Sequence, residues 1–245
     1  MTPLTWTALA SLLVLSDGAS AAACTARSAA ADRLHLVELY TSEGCSSCPP
    51  AERWFSRLRD QPALVGLEYH VDYWDSREWR DPYADARFTE RQKRLVEHDR
   101  THAQVYTPQI AVDGRIWKEW PKGRPPEPAA ADAPTLALEV ERGATLQARV
   151  DASAASGADY RVYVALAENG LSNAVTGGEN RGAKLAHDQV VRAFAGPLPL
   201  GHTDVELTPP AGVDLAQSTL VAFAQNERDG TIAQVVRVPL AGCAN

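Results

Sequence analysis

Two cysteines separated by two residues, Cys45 and Cys48, lie between an apolar segment and a pair of prolines. The apolar segment, residues 34–40, predicts a buried strand. Pro49 and Pro50 open a segment whose apolar spacing suits one face of a helix, and proline is well tolerated at the first helical position. A strand that runs into a C-x-x-C pair at the start of a helix is the arrangement of a redox-active cysteine pair.

The start of a helix favours thiolate chemistry, because its unpaired N–H groups and partial positive charge stabilise the anion. A zinc site would need a second pair of ligands, and the sequence has no second C-x-x-C. Its histidines are scattered without ligand-like spacing: His35, His70, His98, His102, His187 and His202. We therefore expect no metal and no cofactor. Soft thiolates also suit Cu(I), but a methionine-assisted copper site is excluded because the single methionine is residue 1.

Residues 1–23 have the composition of a signal peptide. An apolar, uncharged run from Thr5 to Ser16 precedes Ala19-Ser20-Ala21, which fits the small-x-small cleavage pattern. The run is too short to span a bilayer comfortably, and no later segment predicts an integral membrane span. We expect a periplasmic or secreted protein. A lipid anchor on Cys24 is the less favoured alternative, because no large aliphatic residue lies three positions before it.

The remaining two cysteines, Cys24 and Cys243, lie near the ends of the mature chain. Four cysteines allow three pairings. If Cys45 pairs with Cys48, a second disulfide joins the two ends, as an oxidising compartment permits.

The charge balance excludes two classes of partner. The chain carries 24 basic and 31 acidic residues, a formal net charge of −7, and has no run of lysine or arginine. Nucleic acid and anionic membrane surfaces both require a concentrated basic face. The oligomeric state is not predicted.

The pattern of elements changes in the middle of the chain. Residues 34–120 predict the order β-α-β-α-β-β, which is typical of an α/β layered domain. Residues 121–134 contain five prolines and predict an extended linker. Residues 135–245 predict seven short strands and little helix, which favours an all-β sandwich-like domain.

Residues 37–52 resemble the active-site segment of the thioredoxin superfamily. More narrowly, the chain resembles a family of secreted bacterial thioredoxin-like proteins that is classed as a domain of unknown function. The resemblance covers nearly all of residues 34–240. Further similar segments are 70–75, 81–84, 88–92, 105–109, 178–182 and 187–192. The resemblance implies an α/β thioredoxin-like domain at 34–120, followed by the sandwich-like domain.

The resemblance also implies roles for five residues. Cys45 would be the more exposed, attacking thiolate, and Cys48 the resolving thiol. Pro108, after Thr107, would form a cis peptide bond that faces the disulfide. Glu38 resembles a buried acid that assists proton transfer to the resolving cysteine, although it could instead be an exposed strand carboxylate.

Several residues depart from the superfamily pattern. Gly44 replaces the tryptophan that commonly precedes the first cysteine, and Glu43 brings a negative charge that opposes thiolate formation. Pro49 disfavours helical geometry at Cys48. These departures bear on the redox potential and on catalytic competence.

The sequence thus supports two functions of different classes. The first is a periplasmic thiol–disulfide oxidoreductase whose partners are protein thiols and disulfides. The second is a non-enzymatic binding or assembly module in which the Cys45–Cys48 disulfide is structural, since a scaffold does not by itself imply an activity.

Overall fold

The computed structural model describes residues 24–28, 33–99, 104–123, 133–155 and 159–243. The expected signal peptide at 1–23 and most of the expected linker, residues 124–132, lie outside this part of the chain. Two α-helices are present in it, α1 (Pro49–Ser56) and α2 (Ala86–His98). Neither is long and apolar enough to cross a membrane. The strands, in chain order, are β1 (Cys24–Arg27), β2 (His35–Thr41), β3 (Leu64–His70), β4 (Gln109–Val112), β5 (Arg115–Ile116), β6 (Thr135–Arg142), β7 (Leu146–Ser153), β8 (Tyr160–Glu168), β9 (Leu171–Ala174), β10 (Lys184–His187), β11 (Val190–Leu198), β12 (Gly201–Leu207), β13 (Ser218–Asn226) and β14 (Ile232–Pro239).

One eight-stranded mixed sheet runs through the molecule in the order β14-β13-β8-β11-β3-β2-β4-β5. Every residue of β2 and β3 is buried. Strands buried on both faces are typical of the parallel centre of a sheet, and β2 pairs with β3 in parallel along its whole length. Strand β4 is antiparallel to β2. A tight turn joins β4 to β5, and these two strands also pair antiparallel.

The predicted fold class is wrong. The described part of residues 34–120 is not a self-contained α/β thioredoxin-like domain, and the described part of 135–245 is not a separate all-β sandwich. Strand β11 of the second half pairs in parallel with β3 of the first, at Val190 and Glu68, so both halves share one sheet. Strand periodicity reports which faces are buried but not which strand lies beside which, so the sequence pattern could not reveal this pairing.

The second layer is a four-stranded antiparallel sheet in the order β1-β6-β7-β12. Its alternating strands, such as β7 with every second residue buried, pack onto the half of the large sheet that contains β8, β13 and β14. Cys24 in β1 is bonded to Cys243, 219 positions later in the chain, with 5.5 Å between their Cα atoms. The expected disulfide between the chain ends is therefore confirmed.

Strand β2 has two different faces, and this determines what lies near the cysteines. Val37 and Leu39 pack against Phe55 of α1. Leu36 and Tyr40 face the other side, in the cluster that contains residues of α2. Helices α1 and α2 thus cover opposite faces of the same strand.

All seven strands predicted for the second half are present, as β6, β7, β8, β11, β12, β13 and β14. Three strands were not predicted. They are β1 at the expected start of the mature chain and the hairpin of β9 and β10, which form a separate two-stranded sheet. The last strand predicted for the first half is short, since β5 spans only Arg115–Ile116.

Candidate functional site

Cys45 and Cys48 form a disulfide at the amino end of α1, with 5.5 Å between their Cα atoms. Cys45 is 1% exposed and Cys48 is fully buried. The sequence led us to expect a more accessible Cys45, but in the disulfide form both cysteines are shielded. The exposed part of this loop consists of Ser46 and Ser47, and the Ser47 hydroxyl lies 3.3 Å from the Cys45 sulfur.

The backbone joins this disulfide directly to the helix. The Cys48 carbonyl accepts hydrogen bonds from the N–H groups of Ala51 and Glu52, at 2.9 and 3.1 Å. Cys48 itself has right-handed helical angles, φ −78° and ψ −39°, and α1 begins at Pro49. The expectation that Pro49 would keep Cys48 out of helical geometry is wrong, because the hydrogen bonds of the first helical turn outweigh that local preference.

Thr107 and Pro108 lie beside the cysteine loop. Their peptide bond is cis, as the sequence resemblance implied. The Ser47 hydroxyl donates to the Thr107 carbonyl at 3.5 Å, and the Thr107 hydroxyl accepts from the Trp74 indole N–H at 2.8 Å. The structure thus brings Thr107 and Pro108 together with Cys45 and Cys48.

Glu38 is buried but lies in a different environment. Its carboxylate accepts hydrogen bonds from Nε of Arg91 at 2.7 Å and from the hydroxyl of Tyr40 at 3.1 Å. Arg91 belongs to α2, and α2 covers the face of β2 opposite to α1. The structure therefore does not bring Glu38 to the cysteine pair, which lies at the start of α1.

Next to the cysteines lies a group of six buried titratable side chains that we call the buried cluster. Two of them flank the cysteine loop, since Glu43 precedes Cys45 by two residues and Glu52 follows Cys48 by one helical turn. All are between 0 and 5% exposed. The members are Glu43, Glu52, Glu68, His70, Asp81 and His187.

Hydrogen bonds connect the buried cluster through Glu68. Its Oε1 lies 2.9 Å from Nε2 of His70 and 3.0 Å from Nδ1 of His187. The other ring nitrogens face two further carboxylates, Asp81 at 2.8 Å from His70 and Glu43 at 3.2 Å from His187. Each histidine thus lies between two acidic groups.

Burial and charge shift the pKa values of this cluster in opposite directions. Burial, together with the negative charge of Glu68, raises the pKa of Glu52 to about 7. Burial alone would lower the pKa of His187, but hydrogen bonds to Glu43 and Glu68 outweigh it and raise that pKa to about 9. Burial would raise the pKa of Asp81, but the nearby His70 lowers it to about 2. The surrounding carboxylates therefore stabilise positive charge on the rings of His70 and His187.

The loop between β9 and β10 is hydrogen-bonded to the cysteine loop. The Glu179 carboxylate accepts hydrogen bonds from the Ser46 N–H at 3.0 Å and the Ser46 hydroxyl at 2.7 Å. The Asn180 side-chain amide donates to the carbonyls of Glu43 and Cys45, at 2.9 and 2.8 Å. A segment from the second half of the chain therefore forms part of the site.

Glycines allow this close approach. Gly178 has φ +67°, and a Cβ there would lie 3.2 Å from the Cα of Gly44. A Cβ on Gly44 would in turn meet the Cβ of Trp74 at 3.1 Å. The tryptophan common before the first cysteine in thioredoxins would therefore not fit at position 44 in this structure.

Sequence reasoning did not select the buried cluster or the Glu179–Asn180 contact. Glu68 and His70 carried a usable signal, because they are polar residues two apart in an apolar strand and therefore face the same side. His187 carried none, since its partners lie more than a hundred residues earlier in the chain.

The comparisons with known proteins concern family and fold. The profile of a family described as a protein of unknown function, DUF1223, matches residues 36–225. No curated protein matches the sequence. The crystal structure of protein AGR_C_4864 from Agrobacterium tumefaciens is similar with a TM-score of 0.58 and 23% identity, over 84% of this chain and 94% of that one. HBP35 of Porphyromonas gingivalis is similar with a TM-score of 0.59 and 13% identity, over 85% of this chain and 76% of that one. At these identities the two structures support the fold alone.

Proposed function

We propose that this chain, which belongs to the DUF1223 family of proteins of unknown function, exchanges disulfides with other proteins through Cys45 and Cys48. The observation that carries the proposal is the position of this pair: a disulfide at the first turn of α1, with the exposed Ser46 and Ser47 between its two cysteines. A helix amino terminus stabilises the thiolate that such exchange requires.

The exchange proceeds through a mixed disulfide. In the reduced protein, the Cys45 thiolate attacks one sulfur of a partner disulfide, and the other partner sulfur leaves as a thiolate. The Cys48 thiolate then attacks Cys45, which releases the second partner thiol. The Cys45–Cys48 pair is oxidised by two electrons and the partner disulfide is reduced; the reverse sequence oxidises a dithiol partner.

Local charges favour the disulfide form of the pair. Glu179 is bound to Ser46, between the cysteines, and Glu43 lies two residues before Cys45. Negative charge near a thiolate raises its pKa and so destabilises the reduced state. We therefore expect a potential toward the reducing end of the oxidoreductase range.

An oxidising compartment suits this activity. Two disulfides occur in a single chain, and disulfides persist in the periplasm or outside the cell. Together with the signal-peptide composition of residues 1–23, this supports a periplasmic or secreted location.

A glutathione redox titration of the mature protein, with thiol trapping and mass spectrometry at each potential, tests the proposal. Interconversion of Cys45 and Cys48 between roughly −270 and −120 mV is expected of an oxidoreductase. Cys45→Ser should abolish dithiol exchange, whereas Ser47→Ala should leave it measurable. The Cys24–Cys243 disulfide serves as the internal reference for a structural bond.

The burial of both cysteines favours a second candidate. With Cys45 at 1% exposure and Cys48 fully buried, the disulfide could serve only to hold the loop in a non-enzymatic binding or assembly module. The same titration separates the two functions, because a structural disulfide stays oxidised until the potential falls below about −300 mV.

A further inference from the structure

Three nitrogen and oxygen atoms of the buried cluster converge on one point. The ligand atoms offered by Glu68, His70 and His187 all lie within 4.8 Å of one another. Oε1 of Glu68 lies 2.9 Å from Nε2 of His70 and 3.0 Å from Nδ1 of His187. The three side chains are completely buried. The residues come from β3 and β10, so the tertiary structure, not a sequence motif, brings them together.

The two histidines are oriented as metal ligands are. A metal-bound imidazole generally donates its second N–H to a carboxylate, which fixes the ring and its tautomer. His70 has Asp81 at 2.8 Å from its outer nitrogen, and His187 has Glu43 at 3.2 Å. In each ring, therefore, one nitrogen faces the common point and the other is hydrogen-bonded to a carboxylate.

The hydrogen-bond pattern of the cluster is compatible with one dication in place of two protons. For Glu68 Oε1 and the two outer carboxylates to accept hydrogen bonds from both rings, each ring must carry two protons. The rings of His70 and His187 would then be two cations with centroids 4.8 Å apart. A single dication bound to the two inner nitrogens replaces two protons, keeps the total charge and leaves both outer N–H groups on their acids.

The second carboxylate oxygen of Glu68 lacks a hydrogen-bond partner within the described part of the chain. Among the described residues, no hydrogen-bond donor reaches Oε2 of Glu68, although this atom is buried. An unpaired buried carboxylate oxygen is costly. An ion at the common point would give Glu68 a cation as the partner of its carboxylate.

We propose that Glu68, His70 and His187 bind a divalent transition-metal cation, with Glu52 as the fourth ligand. Oε2 of Glu52 lies 3.8 Å from Nδ1 of His187, within reach of the same ion. Two imidazoles with carboxylates are a donor set that zinc accepts. Because the ligands are buried, the ion does not contact a substrate. It stabilises the packing of β3, β10 and α1 around the cysteine loop.

This site is independent of the proposed thiol exchange, since none of its ligands is a cysteine. The first test uses tag-free mature protein with both disulfides intact, stripped with a chelator and then dialysed against micromolar zinc. One equivalent of zinc should remain by elemental analysis, and X-ray absorption should give a coordination shell of nitrogen and oxygen without sulfur. Retention of less than a tenth of an equivalent, or sulfur in the shell, would overturn the proposal.

Variants assign the ligands. Zinc affinity, measured by competition with a chromogenic chelator, should fall at least about 100-fold in His187→Gln. It should fall about 10-fold in Glu43→Gln, which changes the outer partner of that histidine and not a ligand. His202→Gln is the matched control, because His202 is exposed and pairs with Asp151 far from the site. Unchanged affinity in His187→Gln contradicts the assignment. If His187→Gln does not fold, the absorption spectrum of the unmodified protein and the Glu43→Gln affinity decide the question.

Discussion

The carboxylate of Glu179 accepts two hydrogen bonds from Ser46, a residue 133 positions earlier that lies between the two cysteines. These bonds lower the pKa of Glu179, because the Ser46 hydroxyl and N–H both favour the charged form. An ionised carboxylate thus lies beside the disulfide at neutral pH. It both holds the loop and disfavours a second negative charge on Cys45.

Glu179→Gln should therefore make the Cys45–Cys48 pair easier to reduce. Without the carboxylate charge, the Cys45 thiol pKa should fall by a few tenths of a unit and the reduction potential should become more positive. The pH dependence of thiol alkylation and the glutathione titration measure the two effects. Glu141→Gln, which removes an equivalent exposed charge on β6, should change neither value. A potential that becomes more negative in Glu179→Gln would contradict the electrostatic account.

Local patterns in the sequence predicted most of the elements correctly. The apolar run of β2 and the prolines after Cys48 gave the strand, the cysteine pair and the helix, which the structure has in that order. Alternation of apolar and polar residues located strands such as β6 and β7. These features depend on residues close in the chain, so a local pattern is sufficient to recognise them.

Contacts between distant segments could not be predicted in the same way. The pairing of β3 with β11 and the contact between Glu179 and Ser46 each join residues more than a hundred positions apart. The role suggested for Glu38 depended on its position relative to the motif. The structure places Glu38 on the face of β2 that meets Arg91, because the side chains of a strand alternate between its two faces.

Arg91→Met should strongly destabilise the protein. Both Arg91 and Glu38 are nearly inaccessible, so the substitution leaves a buried carboxylate without its cation and should lower the free energy of unfolding by about 3–5 kcal/mol. Urea denaturation monitored by circular dichroism measures the loss. The double variant with Glu38→Gln should recover much of it, because the unpaired charge is removed. Breaking the exposed pair of Lys93 and Glu90 by Lys93→Met should give no resolvable change.

Removal of the Cys24–Cys243 disulfide should destabilise the fold without changing the chemistry of the other pair. The bond joins residues 219 positions apart, so its loss should reduce the free energy of unfolding by about 2–5 kcal/mol. Denaturation compares the stability of the double variant, with serine at both positions, with that of the unmodified protein. Redox titration compares the Cys45–Cys48 potentials of the same two proteins. A changed potential would mean that the two disulfides are coupled, contrary to this prediction.

The turn between β4 and β5 should tolerate no side chain at Gly114. This residue has φ +77°, and a Cβ there would lie 2.0 Å from the carbonyl oxygen of Gly230, in the turn between β13 and β14. The neighbouring backbone bond from Ile232 N–H to the Asp113 carbonyl, at 3.0 Å, holds the two turns together. Gly114→Ala should therefore combine left-handed strain with a backbone clash.

The matched control for this clash is Gly212→Ala, because Gly212 also has a left-handed φ, +83°, but open space around it. Backbone strain alone should cost Gly212→Ala about 1–2 kcal/mol of unfolding free energy. Gly114→Ala should lose clearly more, and hydrogen exchange should increase in both turns, because they must separate to admit the methyl group. Equal losses in the two variants would show that the turns of the two chain halves do not pack as closely as the structure indicates.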